Sequence, residues 1–266
     1  MEKITIKTMA KDGSNVSKLF IMSDIHIGNV GFNERAFLET LDRIAIEQPT
    51  HVIINGDMID GISRQDSKRF DPQSIHRDFD RLENIDDIIR MECNKFIEYM
   101  LPIKALGIEL IILEGNHETA VEKYYSWSPY RYICEQLDAI RGNQCAFINI
   151  ECGLNEYKIY AQHGTGGGGT TEGYHLNKVA KVARTIDCDV YTIGHIHRMG
   201  VTRSDQITFS GCKKKWITTS GCYLDTFTTD GRMYFSNAAT SLSHIGYLLV
   251  ELSSDEFDCK VRAEYL

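Results

Sequence analysis

Five short apolar runs, each ending in a cluster of polar residues, constrain this chain more than any other feature of its sequence. They read KLFIMSDIH (Lys18 to His26), HVIINGD (His51 to Asp57), IELIILEGNH (Ile108 to His117), YKIYAQHG (Tyr157 to Gly164) and DVYTIGHIH (Asp189 to His197). Apolar runs of this kind suit strands covered on both faces. Between them lie helical patterns. NERAFLETLDRIAIEQ opens on Asn33 as a cap and ends before Pro49. DFDRLENIDDIIRMECNKFIEYML, YRYICEQLDAIR and EGYHLNKVAKVARTI also carry apolar residues at helical spacing. Strands alternating with helices predict an α/β layered core. After Gly200 the texture shifts to Thr, Ser, Gly and aromatics, ending in GYLLVELS. That stretch predicts further strands and hairpins, so residues 1–266 are expected to form a single domain.

The polar residues at the strand ends are, in order, Asp24-x-His26, Gly56-Asp57, Gly115-Asn116-His117-Glu118, His163-Gly164 and Gly194-His195-Ile196-His197. Five of the nine histidines stand there. In α/β sheets, ligands gather beyond the carboxyl ends of strands. An H-x-H pair on an extended segment presents both imidazoles on one face. Four imidazoles and two carboxylates buried together without partners would be costly, and a pair of metal ions removes that cost.

The set D-x-H, G-D, G-N-H-[DE], a lone His and G-H-x-H resembles the pattern of the calcineurin-like metallophosphoesterases, over roughly residues 18 to 200. The resemblance implies an α/β fold, a four-layer β-sandwich flanked by helices, with two divalent metal ions at the strand ends. By motif position, one ion takes Asp24, His26 and His197, the other takes Asn116, His163 and His195, and Asp57 bridges them. Oxygen and nitrogen donors without thiolate suit Mn²⁺, Fe, Zn²⁺ or Ni²⁺ alike; Mn²⁺ is the first expectation, with Fe, Zn²⁺, Ni²⁺ or Mg²⁺ as alternatives. His117 is implied to be a catalytic residue beside the leaving oxygen rather than a ligand. Glu118, at the [DE] position, is expected to orient or charge-balance it. The implied reaction is hydrolysis of a phosphate ester by metal-activated water. The G-D-x-x-D and short G-N-H-E spacings are similar to those of bacterial and phage phosphodiesterase and nuclease branches. A nucleotide or single-stranded nucleic acid is therefore the first substrate expectation, with phosphomonoesterase or protein phosphatase activity as the alternative. A non-catalytic scaffold of the same fold would be expected to lack the GNH histidine, and His117 is present. A mononuclear zinc hydrolase would need neither Asp57 nor both ligand sets.

Composition narrows the remaining choices. A formal charge of −8 does not suit a protein that coats duplex DNA. The lysine triplet Lys213 to Lys215 reads as a solvated turn. The eight cysteines form no C-x-x-C pair, which predicts reduced, mostly buried thiols in a cytoplasmic protein rather than a disulfide framework or thiolate zinc site. The first residues contain no apolar signal segment, and no run is long enough to span a bilayer, so no membrane partner is expected. GTGGGGTT (Gly164 to Thr171) falls one residue short of a Walker A loop, because Thr170 stands where the phosphate-reaching lysine belongs. Gly164 is expected to turn the chain away from the metals and Gly166 to Gly169 to form a rim loop. His51, His76, His175 and His244 read as structural. Asp60 reads as a support to the ligands or a turn former, and Arg198 as a phosphate contact or a salt bridge. GISRQDSKRFDPQSIHRDFD is expected to wall the substrate site. Tyr124, Tyr125, Trp127 and Tyr130 are expected to pack rather than stack on a base.

Overall fold

The computed structural model describes the chain except residues 1, 11–13, 63–65, 67–69, 71, 77–78, 80–84, 167–170, 172, 210 and 227–241. In chain order the elements are β1 (Glu2–Thr8), β2 (Val16–Met22), α1 (Glu34–Glu47), β3 (His51–Ile54), α2 (Ile85–Ala105), β4 (Glu109–Leu113), α3 (Asn116–Tyr125), α4 (Pro129–Gln136) and β5 (Ile140–Asn143). They continue with β6 (Cys145–Cys152), β7 (Asn155–Gln162), α5 (Tyr174–Thr185), β8 (Val190–Ile193), β9 (Gly200–Thr208), β10 (Gly211–Thr219), β11 (Gly246–Ser253) and β12 (Cys259–Tyr265). Two six-stranded sheets result. The first runs β1-β6-β7-β8-β10-β9 and the second β12-β11-β2-β3-β4-β5.

The five apolar runs all become strands, split between the sheets. β2, β3 and β4 pair in parallel in the second sheet, and β7 and β8 pair in parallel in the first. Their sequences lack alternation because each face meets a different apolar layer. Leu19, Ile21, Ile53 and Ile111 face the first sheet, against Ile148, Ile150, Ile159 and Val190. Phe20, Met22, Val52 and Ile54 turn outward onto Phe37, Leu41 and Ile44 of α1 and Phe96 of α2. On the far side, Val179 and Ala183 of α5 cover Tyr160, Tyr191 and Ile217 of the first sheet. Each fully buried Ile, Leu or Phe contributes about 1.5–3 kcal/mol. The order of layers is helix, sheet, sheet, helix, the arrangement the family resemblance implies.

Local chemistry sets the helix ends. The Asn33 side chain accepts the Ala36 N–H at 2.9 Å and opens α1. The helix stops at Gln48, in the left-handed region, just before Pro49. α2 runs through Pro102 to Ala105, one turn beyond the expected end, and terminates where Gly107 adopts φ +70°. The YRYICEQLDAIR pattern is corrected: its helix ends at Gln136, Asp138 turns left-handed, and Ile140 and Arg141 enter β5.

The lysine triplet is a second correction, since Lys213, Lys214 and Lys215 lie within β10 rather than in a turn. Lys215 is buried with its Nζ donating to the Ala183 carbonyl, and Lys213 pairs with Asp187 at 2.8 Å. The residues after Gly200 form two hairpins, β9–β10 and β11–β12, which complete one edge of each sheet. Among the described residues no helix is long and apolar enough to cross a membrane, and the cysteines are free.

Candidate metal centre

The polar residues that end β2, β3, β4, β7 and β8 converge at the same end of the two sheets. Asp24, His26 and His197 form one group of candidate ligand atoms. Asp24, Asp57, His163 and His195 form a second, so Asp24 belongs to both. The structure brings together every residue the sequence assigned to a metal. In the first group His26 Nε2 lies 3.3 Å from His197 Nε2, and His197 Nε2 lies 3.3 Å from Asp24 Oδ1. In the second, His163 Nε2 lies 2.9 Å from Asn116 Oδ1 and 3.2 Å from Asp57 Oδ2.

The backbone at these residues is unusual. Asp24, His26, Asp57, His195 and His197 all have φ between 51° and 66°, in the left-handed region. Non-glycine residues pay for that conformation, and it persists only where the surroundings enforce it, typically at functional sites. Here the surroundings are backbone hydrogen bonds between strand ends. Asp24 N–H donates to the Gly56 carbonyl at 3.0 Å, and Ile25 N–H to the Asp57 carbonyl at 2.8 Å. The His195 N–H donates to both oxygens of Asp24. Gly56 is required where these turns cross, because a Cβ there would stand 2.6 Å from Gly115 N and 2.8 Å from His163 Nδ1.

Asp57 occupies the middle. Its Oδ1 accepts the His117 backbone N–H at 3.0 Å. Its Oδ2 is buried and makes no hydrogen bond, yet imidazole nitrogens of His163, His26 and His117 stand 3.2, 3.8 and 3.9 Å away. The His195 Nδ1 is likewise buried without a hydrogen-bond partner. Buried polar atoms of this kind are expensive unless something else satisfies them. Nitrogen and oxygen donors directed at one another across a small gap, with no thiolate among them, fit divalent cations.

The electrostatics agree. Burial disfavours ionisation of Asp57, but the His163 and His117 rings hold its carboxyl well below the usual range. Burial alone would depress the His163 ring, yet the Asp57 and Asp24 carboxylates lift it to about 10. Burial and the neighbouring His163 push His195 down to about 4, and burial with His117 lowers His26. The carboxylates thus favour positive charge at the centre, while His195 and His26 are kept neutral, as ligation requires.

Outer contacts fix the rings. His163 Nδ1 faces the Asn55 carbonyl at 2.5 Å, which can only accept, so the proton sits on Nδ1 and Nε2 is left for the centre. His117 Nδ1 faces the Asp60 carbonyl in the same way, directing Nε2 toward the Asp57 side. Asp60 Oδ1 lies 3.5 Å from His26 Nδ1 and 3.9 Å from His117 Nδ1, so one carboxylate steadies a candidate ligand and the catalytic candidate together.

Glu118 lies close enough to His117 for their charges to interact, but its hydrogen bonds lie elsewhere. Its carboxylate accepts the N–H groups of Asp57 (3.2 Å), Met58 (2.8 Å), Ile59 (3.3 Å) and Gly115 (2.9 Å). Its hydrogen bonds go to backbone, tying the turn after β3 to the start of α3, rather than to the His117 ring. Glu118→Ala is therefore expected to strand buried donors and lower stability by about 3 kcal/mol. Urea unfolding would show this as a lower midpoint at unchanged slope, with Glu118→Gln in between. A wild-type midpoint for Glu118→Ala would refute the assignment.

Sequence reasoning missed Glu92 and Asn55. Glu92 is buried, accepts the Gly61 N–H at 2.8 Å, and is held well above the usual carboxyl range by burial and by Asp60. The available signal was an acid on the apolar stripe of α2, in register with Ile88, Ile89, Cys93 and Phe96. Asn55 precedes the G-D pair and donates to Thr192 Oγ1 at 3.1 Å, joining the two sheets beneath the centre. Arg198 is buried directly after the H-x-H pair. Tyr130 is buried with its hydroxyl donating to the Ile112 carbonyl, and Tyr125 and Trp127 pack against the same core as expected, whereas Tyr124 is exposed. Gly164 adopts φ +95° after His163. Gly167 to Gly169, and much of the GISRQDSKRFDPQSIHRDFD segment, lie outside the described residues.

No curated protein sequence matches the chain significantly. Solved structures similar to it include Vps29 from Chaetomium thermophilum, with 12% identity, 94% of this chain and 97% of that chain covered, and a TM-score of 0.41. The nuclease MPE from Pseudomonas putida has 15% identity, coverage of 92% and 87%, and a TM-score of 0.38. A phosphatase from Mycoplasma pneumoniae has 12% identity, coverage of 94% and 93%, and a TM-score of 0.39. Likeness at this level carries no functional information. The calcineurin-like phosphoesterase family model, in contrast, matches residues 17–199, from β2 through the H-x-H pair. The chain belongs to the calcineurin-like phosphoesterases.

Proposed function

We propose that the protein is a dinuclear metal-dependent phosphodiesterase acting on a nucleotide or single-stranded nucleic acid. The observation that carries the metal assignment is Asp57 Oδ2, which sits between His26 of one candidate group and His163 of the other. In this reading Asp24, His26 and His197 would hold one ion, and Asn116, His163 and His195 would hold the second. Asp57 bridges them, and Mn²⁺ is the first ion to test. When bound, the pair supplies Lewis-acid stabilisation of the phosphoryl oxygens and an activated water.

The chain's own residues do the rest. His117 stands at the first turn of α3, with Nδ1–H donating to the Asp60 carbonyl; carrying a second proton on Nε2, the ring would pass that proton to the leaving oxygen and return to the neutral form. Asp60 positions that ring, and Glu118 holds the Asp57 turn. Beside Asn116 and His163 lies a cavity of about 290 Å³, also bordered by Thr119, Lys123, Gln144 and Gln162. It offers room and hydrogen-bonding groups for an ester substituent beyond the reacting phosphate, which supports a diester over a monoester.

The test is turnover of bis-p-nitrophenyl phosphate and p-nitrophenyl phosphate with Mn²⁺, Zn²⁺, Mg²⁺ or Ni²⁺ supplied to chelator-treated protein. Cyclic nucleotides and single-stranded DNA follow. Metal-dependent turnover with a higher kcat/KM for the diester is expected. A preference for the monoester would move the assignment to a phosphomonoesterase, and no metal-dependent turnover of any ester would overturn it.

A further inference from the structure

β9 is the outermost strand of the first sheet, and among the described residues no strand lies along its free side. From Thr202 to Ile207 it is exposed on both faces. Ile207 is 92% exposed, and Phe209 at the hairpin tip is fully exposed. Open sheet edges bind other strands unless charge, proline or a bulge prevents it. The only charged residues on β9 are Arg203 and Asp205. They lie two apart on one face, with Arg203 Nε 3.0 Å from Asp205 Oδ1.

The strand is complementary to itself. If a second copy pairs antiparallel with β9 about a two-fold axis at Ser204, Arg203 of each copy faces Asp205 of the other. Thr202 faces Gln206, and Val201 faces Ile207. Directly opposed residues in an antiparallel pair share a face, so Arg203, Asp205, Val201 and Ile207 of both copies stand on one face. Within one copy Lys214 already opposes Asp205, and Trp216 opposes Arg203. Across the joined edge the row would read Lys214, Asp205, then Arg203 and Trp216 of the second copy, alternating in charge and ending on an aromatic ring.

The apolar residues follow the same symmetry. Val201 packs against the inter-sheet core, so the opposed Ile207 extends that core. One step further, Phe209 reaches the level of Met199, whose carbonyl accepts the hydroxyl of the exposed Tyr265 at 3.2 Å. The neighbouring registers fail. A slip of one residue puts the two apolar faces on opposite sides. A shift of the axis to Asp205 or to Arg203 sets like charges against each other.

We propose that two copies of this chain associate edge to edge through β9, joining their six-stranded sheets into one continuous sheet of twelve. Sedimentation velocity over a dilution series tests this. The wild-type protein is expected to show a concentration-dependent dimer. Arg203→Asp and Asp205→Arg, each measured alone, should weaken it roughly tenfold or more, since like charges would then oppose each other at two symmetric places. Mixing the two variants should restore a dimer as a heterodimer, because one copy then presents two acids to two bases of the other. The doubly exchanged R203D/D205R chain should self-associate again. Ile207→Lys should weaken the dimer through the apolar pair instead, and thermal melts establish that each variant is folded. A wild-type protein that sediments as a monomer throughout, a dimer unaffected by both reversals, or a mixture that fails to recover would each overturn the proposal.

Discussion

Asp57→Asn is expected to lose phosphoesterase turnover by on the order of 10³-fold or more, together with bound metal. The reason lies in how the side chain is held. Oδ1 is committed to the His117 backbone N–H at 3.0 Å. An asparagine that kept this bond would place its NH₂ group where Oδ2 now stands, 3.2 Å from His163 Nε2. A charged acceptor between His26 and His163 would become a neutral donor pointed at a candidate ligand nitrogen. Elemental analysis of the purified variant, alongside its rate, measures both effects. Wild-type metal content with wild-type turnover would remove Asp57 from the centre. Retained metal with lost turnover would confine its role to the reaction.

His117→Ala is expected to behave differently. Turnover of a substrate with a poor leaving group, such as a dinucleotide, should fall roughly 10²–10⁴-fold. The loss on a p-nitrophenyl ester should be far smaller, because that phenolate departs without a proton. Metal content should remain near wild type. His117 does share a third group with His26 and Asp60. Its Nδ1 is nevertheless taken by the Asp60 carbonyl, and its Nε2 faces Asp57 at 3.9 Å. Equal losses on both esters would argue against proton donation and for electrostatic stabilisation by the ring. Loss of metal would make His117 a ligand.

The centre was unusually legible in the sequence because its residues follow directly on buried strands. A run such as HVII suits a strand with both faces covered, and a polar pair at its end then leaves the core at a fixed place. The supports were less legible because they act across long separations. Glu118 was visible as a motif residue, but its four amide partners depend on how the turn after β3 folds back on α3. Asp60 and Glu92 acquire meaning only once α2 packs beneath that turn. The fold was misjudged where local pattern and tertiary context disagreed. Lys213 to Lys215 looked like a turn by charge alone. They lie in a strand because Asp187 and the Ala183 carbonyl meet two of them. β1 alternates as KITIKT but is short, and it gains its place only from the parallel register with β6, over a hundred residues later.

The candidate ligands come from both sheets. Asp24, His26, Asp57 and Asn116 follow strands of the second, and His163, His195 and His197 follow strands of the first. Neither sheet alone carries a complete set for either ion. Ions that bind only the docked arrangement stabilise it by mass action, so in the proposed enzyme they act as a clasp between two halves of the molecule. Chelation should then raise hydrogen exchange along the strands on both sides of the seam, not merely in the loops that bear the ligands. The last candidate ligand in the sequence is His197, so a growing polypeptide could not assemble the centre until the residues through His197 had been made. Hydrolytic capacity would be withheld from fragments and partly folded chains, switched on by the same event that completes the fold.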